Sequence, residues 1–211
     1  MAVTSYNSPG TTANADRDGS NTWIDTDNVK ISDNSRASAP STSKNNYCDW
    51  LRVTNFGFSI PVGATINGIE VQIEHFRISS SQNPIDSAVY LRKTIGQVGD
   101  NFADGTPWTE EIDEIFTYGD ATELWGTTWS VADINSSDFG LDFSVLADGS
   151  ATKPEVDHIQ IRIHYTEAGG GETRKIKVSG TFEDKPIKEK VAGSFEDKLI
   201  KVKVDGSFQD A

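Results

Sequence analysis

Hydrophobic and polar residues alternate with period two along much of the chain. Leu141, Phe143 and Val145 point one way, Asp142 and Ser144 the other. Ile159, Ile161, Ile163 and Tyr165 share a face, opposite His158, Gln160, Arg162 and His164. Ile69, Val71 and Ile73 alternate with Glu70, Gln72 and Glu74 in a strand predicted to run to about Ile78. Ser87 to Lys93 repeats the pattern, with Val89 and Leu91 against Tyr90. This periodicity predicts half-buried strands in antiparallel sheets. Short strands are expected at Thr22–Ile24 and Val29–Ile31, and a strand region at Tyr47–Phe58 anchored by Trp50, Leu51 and Val53. Ser130, with Asp133 three residues on, predicts a one-turn helical cap. Glu110 to Tyr118 fits either a strand or a short helix.

Between these runs lie polar stretches. Ser32–Asn46 is Ser-rich and predicts a long surface loop or extended arm. Pro61–Ala64 is a turn, and Ser79–Pro84 and Gly96–Thr109 read as loops. Many short strands, frequent turns and no long helix predict an all-β fold, an antiparallel β-sandwich of jelly-roll type.

Residues 1–167 hold all the long alternating strands, and a Gly-rich linker occupies 168–173. Residues 174–211 then repeat with a period of thirteen, from Lys175, Lys188 and Lys201. Gly180, Gly193 and Gly206 each stand second in a dipeptide between strand-like runs. Asp205-Gly206 is a strong hairpin-turn signal, and Ser179-Gly180 and Ala192-Gly193 are weaker forms. Three short hairpins are expected. Two-residue turns would set Lys177 opposite Phe182, with the later copies repeating this at Phe195 and Phe208. Each hairpin would then be apolar on both sides and require cover.

Two stretches carry a resemblance. One is Trp125-Gly126-Thr127-Thr128-Trp129, then Ala132-Asp133-Ile134-Asn135, Phe139-Gly140 and the strand Val156-Asp157-His158-Ile159-Gln160-Ile161. The other is Phe56-Gly57-Phe58-Ser59-Ile60-Pro61-Val62-Gly63-Ala64-Thr65-Ile66-Asn67-Gly68-Ile69-Glu70-Val71. Together they resemble a β-sandwich domain of tailed-bacteriophage virion proteins, over roughly residues 1–167. The Lys-Val-x-Gly-Ser-Phe repeats are similar to those ending some phage tail and fibre proteins. The resemblance implies a place on a head, neck, tail or fibre and names no activity.

The net charge is −13. Residues 172–211 carry nine Lys/Arg and eight Asp/Glu, leaving ten and twenty-four in the rest. So acidic a domain argues against binding nucleic acid through its phosphates. Cys48 is alone, so no intramolecular disulfide is expected. The first residues lack the basic and apolar runs of a signal peptide, and no membrane span is expected. The expected location is the virion, after synthesis in a host cytoplasm.

The candidate chemistry is sparse. Asp16 and Asp18, before Gly19, resemble part of a calcium loop, without the spacing or closing Glu of an EF-hand; a solvated turn is the plainer reading. Glu110, Glu111, Asp113 and Glu114 form an acidic run, read as a solvated edge rather than a glycosidase pair. His75, His158 and His164 stand at no ligand spacing and read as outer-face residues. Cys48 lacks an activating motif. Trp108, in a loop beside Pro107, is the leading candidate for stacking on a sugar, ahead of Trp125 and Trp129. No cofactor and no enzymatic activity are expected.

The expected function is that of a non-enzymatic phage structural protein, a head decoration or a neck or tail fibre component. It would dock to other virion proteins through strand edges and hairpins. Phe182, Phe195 and Phe208 would anchor it, covered by the stems of Lys177, Lys190 and Lys203. A homo-oligomer is expected, a trimer by analogy with phage fibres. The alternative is a carbohydrate-binding module that attaches to host-surface glycans.

Overall fold

The structure, a computed structural model, describes residues 1–168 apart from 18–20, 41 and 80, and the backbone of four strands between residues 187 and 210. The chain forms two compact units, Met1–Gly169 and Gly170–Ala211.

The first unit is all-β. Its strands are β1 (Ala2–Val3), β2 (Thr11–Ala15), β3 (Ala37–Ser38), β4 (Trp50–Thr54), β5 (Thr65–Phe76), β6 (Pro84–Lys93), β7 (Gly96–Val98), β8 (Glu114–Tyr118), β9 (Gly140–Ala147) and β10 (Glu155–Thr166). One sheet has the order β1-β10-β5-β8, with β3 pairing the start of β10. The other has the order β2-β4-β9-β6-β7. Every pairing in both sheets is antiparallel.

The order has a simple origin. Apart from β2 and β3, the strands pair first with last (β1 with β10), second with seventh (β4 with β9), third with sixth (β5 with β8) and fourth with fifth (β6 with β7). A chain paired this way is one long hairpin. Rolling it up adds the β10–β5 and β9–β6 ladders and closes two sheets over one core. That is the jelly roll.

The core takes the inward residue of each alternation. Ile69, Val71 and Ile73 of β5, Leu141, Phe143 and Val145 of β9, and Ile159, Ile161 and Ile163 of β10 are all fully buried. Within the second sheet Gly140 lets β9 lie close against β4: a Cβ there would stand 1.9 Å from the Val53 carbonyl oxygen. Ser130 caps a single helical turn, α1 (Val131–Ile134), in a full capping box with Asp133.

Two local expectations are corrected and an open one is decided. Thr22–Ile24 and Val29–Ile31 are not strands. Asp25 turns into the left-handed region (φ 55°), and Thr26–Val29 winds into a 3-10 turn. Ser32–Asn46 is no free loop, because β3 docks on β10 and buries Ala37, Ala39 and Thr42. Glu110–Tyr118 resolves as strand from Glu114, where the β5 edge supplies a ladder that a helix would leave unpaired.

In the second unit, β11 (Ile187–Val191) pairs with β12 (Ser194–Lys198), and β13 (Lys201–Val204) with β14 (Ser207–Asp210). Lys190 stands opposite Phe195 and Lys203 opposite Phe208, so both hairpins share one register. Lys177 and Phe182, in the first copy, lie outside the described residues.

Candidate functional site

Trp108 is not a surface platform. It is 1% exposed, and its Nε1–H donates to Asp86 Oδ1 at 2.9 Å. Residues 101–108 fold back along the β6 edge, where Phe102 N–H bonds Val89 O and Trp108 N–H bonds Pro84 O. That return carries the indole inward, and burial removes its faces from any sugar. Trp125 and Trp129 are also buried, with Nε1–H groups donating to Ile69 O and Leu124 O.

Trp108 belongs to a buried polar cluster instead. His75, 1% exposed and on the inner face of β5, stacks on it at 4.1 Å between ring centroids and 9° between planes. His75 is therefore not an outer-face histidine. Neither ring nitrogen has a hydrogen-bond partner, and burial pushes its pKa down to about 3. Tyr118 Oη donates to Asp86 Oδ2 at 2.5 Å. Burial pushes the Asp86 carboxyl up to about 6, against the opposing pull of its Tyr118 and Trp108 hydrogen bonds.

The outer face of the second sheet carries the best-organised exposed constellation. Asp142, at its centre on β9, is fully buried although it points away from the core. Arg52 grips it through Nε at 2.8 Å and Nη2 at 3.1 Å, Arg92 reaches it at 3.2 Å, and Gln97 donates at 3.0 Å. Beside this network the Arg17 guanidinium lies 4.3 Å from the Tyr47 ring centroid and 4.4 Å from that of Trp50. Trp50 meets Tyr90 edge to face at 6.4 Å. Arg17, Arg52 and Arg92 thus bring three guanidinium groups to this face. Stacking and a carboxylate fork each fix the plane of a guanidinium group. Tyr47 is 42% exposed, and Trp50 and Tyr90 are half-buried.

Sequence reasoning missed this face, although a signal was present. Trp50-Leu51-Arg52 and Tyr90-Leu91-Arg92 repeat one aromatic-x-Arg pattern in β4 and β6, the strands on either side of β9. Aromatic and Arg residues at alternate positions share a face.

The other candidates do not converge. Asp16 is exposed, and Asp18 lies outside the described residues. Arg17, between them, is committed to Tyr47, Trp50 and the Ser87 hydroxyl. In the acidic run, Asp113 forms a two-oxygen ion pair with Arg36, and Glu114 enters β8. His158 accompanies Ser32, Gln72, Glu74, Ile115 and Gln160 around a hollow of about 80 Å³. His164 is largely buried, 3.5 Å from Glu70, which also holds Arg162 and the Tyr6 hydroxyl. Cys48 is buried, and desolvation pushes its thiol up to about 12. Among the described residues no group of three or more His, Cys, Asp or Glu stands where it could hold a metal ion. No family model matches the chain, and no curated protein or solved structure matches it either.

Proposed function

We propose that this chain is a non-enzymatic structural protein of a tailed-bacteriophage virion, a head decoration or a neck or tail fibre component. The observation that carries the proposal is the joining of a jelly roll to tandem hairpins in one register, with Lys190 opposite Phe195 and Lys203 opposite Phe208. Jelly rolls recur in viral capsid domains. Short two-stranded hairpins are marginal alone and gain stability when another surface covers them. The hairpins act as the docking element, and the sandwich is the body displayed. Self-association is part of the proposal, a trimer first, and light scattering should then report about three times 23.0 kDa. The test replaces Phe182, Phe195 and Phe208 together with Ser. The sandwich should keep its thermal transition while incorporation into purified particles is lost. Particles that take up the triple variant at the normal level would refute the docking role.

A second reading, carbohydrate binding, rests on the half-exposed rings of Tyr47, Trp50 and Tyr90. It transfers the role expected of Trp108 to another face. On a glycan array, saturable binding lost in Trp50→Ala would support it.

A further inference from the structure

The register of the second unit sorts its residues by face. Residues directly opposite one another in a hairpin share a face, and so do alternate residues along a strand. In β11–β12 one face therefore holds Lys188, Lys190, Phe195 and Asp197. In β13–β14 the matching face holds Lys201, Lys203, Phe208 and Asp210, the same four residue types in the same places. The first copy of the repeat has Lys175, Lys177, Phe182 and Asp184 at the corresponding positions of its sequence. The reverse face is not held constant: β11–β12 has Glu189 and Glu196 where β13–β14 has Val202 and Gln209. Strand pairing therefore tolerates different residues at matching ladder positions. The constancy of one face calls for a contact that both hairpins make in the same way.

Within the paired strands this constant face has two Lys to one Asp in each hairpin. The sandwich has the opposite balance. Outside residues 172–211 the chain carries ten Lys/Arg and twenty-four Asp/Glu, and residues 94–152 carry twelve Asp/Glu and no Lys or Arg. Two such sandwiches brought together repel. Two constant faces laid on one another would bring four Lys against two Asp, and like charges that meet destabilise a contact. A constant face against a sandwich is the pairing of the two units in which the charges oppose. Two hairpins with the same face make the same contact twice, and copies of one chain are the plainest source of two identical partner surfaces.

We propose that the constant hairpin face is a self-assembly surface, and that it docks on the acidic sandwich of a neighbouring copy of this chain. The inference rests on the self-association proposed above and names its interface. Lys190 and Lys203 supply the charge, and the residues opposite them, Phe195 and Phe208, supply apolar area. The contact joins unlike surfaces, so it either closes into a ring or extends, and a trimer is a ring of this kind.

The test uses the full chain. Light scattering should show association at low salt that dissociates as salt rises. Lys190→Gln and Lys203→Gln should each weaken it about threefold, and Phe195→Ser and Phe208→Ser about tenfold each. Lys190→Arg, which keeps the charge, should leave it in place. A carbodiimide, which joins an amine to a carboxylate in contact, is then applied to a mixture of unlabelled and ¹⁵N-labelled chains. Mass spectrometry should find Lys190 or Lys203 of one copy joined to Asp or Glu of residues 1–167 of another. Links confined to hairpin carboxylates or to single chains would overturn the proposal. Association indifferent to salt, or an effect carried by one hairpin alone, would overturn it as well. A wild-type chain that stays at 23.0 kDa would also overturn it, while the docking of hairpins on particles would still stand or fall by the uptake of the triple Phe variant.

Discussion

His75 should control how the sandwich responds to acid. Its imidazole is buried, stacked on Trp108 and without a hydrogen-bond partner, so the folded state holds it neutral down to about pH 3. The unfolded chain protonates it near the ordinary histidine value of 6.5. The contribution of neutral His75 is fully present above pH 6.5 and is lost as pH falls towards 3. Each unit is worth about 1.4 kcal/mol, so the full span is about 5 kcal/mol. Asp86 acts in the opposite sense. Its carboxyl rises from 3.8 to about 6 on folding, so folding takes up a proton, and stability is gained as pH falls from 6 to 3.8, by about 3 kcal/mol. Between pH 6 and 4 the two should nearly cancel, leaving a flat profile. His75→Phe keeps an aromatic ring against Trp108 and removes the titration. The variant should become more stable as pH falls from 6 to 4, by about 3 kcal/mol, before the surface carboxylates protonate. Guanidinium unfolding at pH 7, 6, 5 and 4, followed by tryptophan fluorescence, measures this. A variant-minus-wild-type difference that stays constant across those pH values would refute the reasoning.

Asp142→Ala should destabilise the sandwich by about 3 kcal/mol, because it strands Arg52 and Arg92 over the sheet; the shift in denaturant midpoint measures it. Cys48 should resist iodoacetamide at pH 8 in the folded protein, since the thiol is buried and pushed up to about 12. Its alkylation should follow the unfolding transition, and mass spectrometry of the modified fraction reads this out.

The alternations of β5, β9 and β10 were sufficient to name Ile69, Val71, Ile73, Leu141, Phe143, Val145, Ile159, Ile161 and Ile163 as inward-facing, and all are buried. Period two is a property of the local backbone, so neighbouring residues alone reveal it. The Ser130–Asp133 cap was legible for the same reason, since its partners are three residues apart. Tertiary structure decided what lies over each face. Asp142 and Ser144 sit on the polar side of β9 and are still fully buried, because Arg52, Arg92, Trp50 and Tyr90 arrive from the flanking strands. Trp108 is a loop residue by sequence and a core residue in the fold, because its loop returns along β6 as far as Pro84. His75 continues the inward row of β5 past Ile73, but only the arrival of Trp108 gives the imidazole its stack and its low pKa. The covering of the β10 edge was likewise settled by the roll. The N-terminal residues close β10 from more than 150 positions away and nothing described closes β8. Strand faces follow from residues two apart. Burial of a polar side chain, the stacking of a histidine and the covering of an edge depend on contacts distant in sequence, which local alternation does not encode.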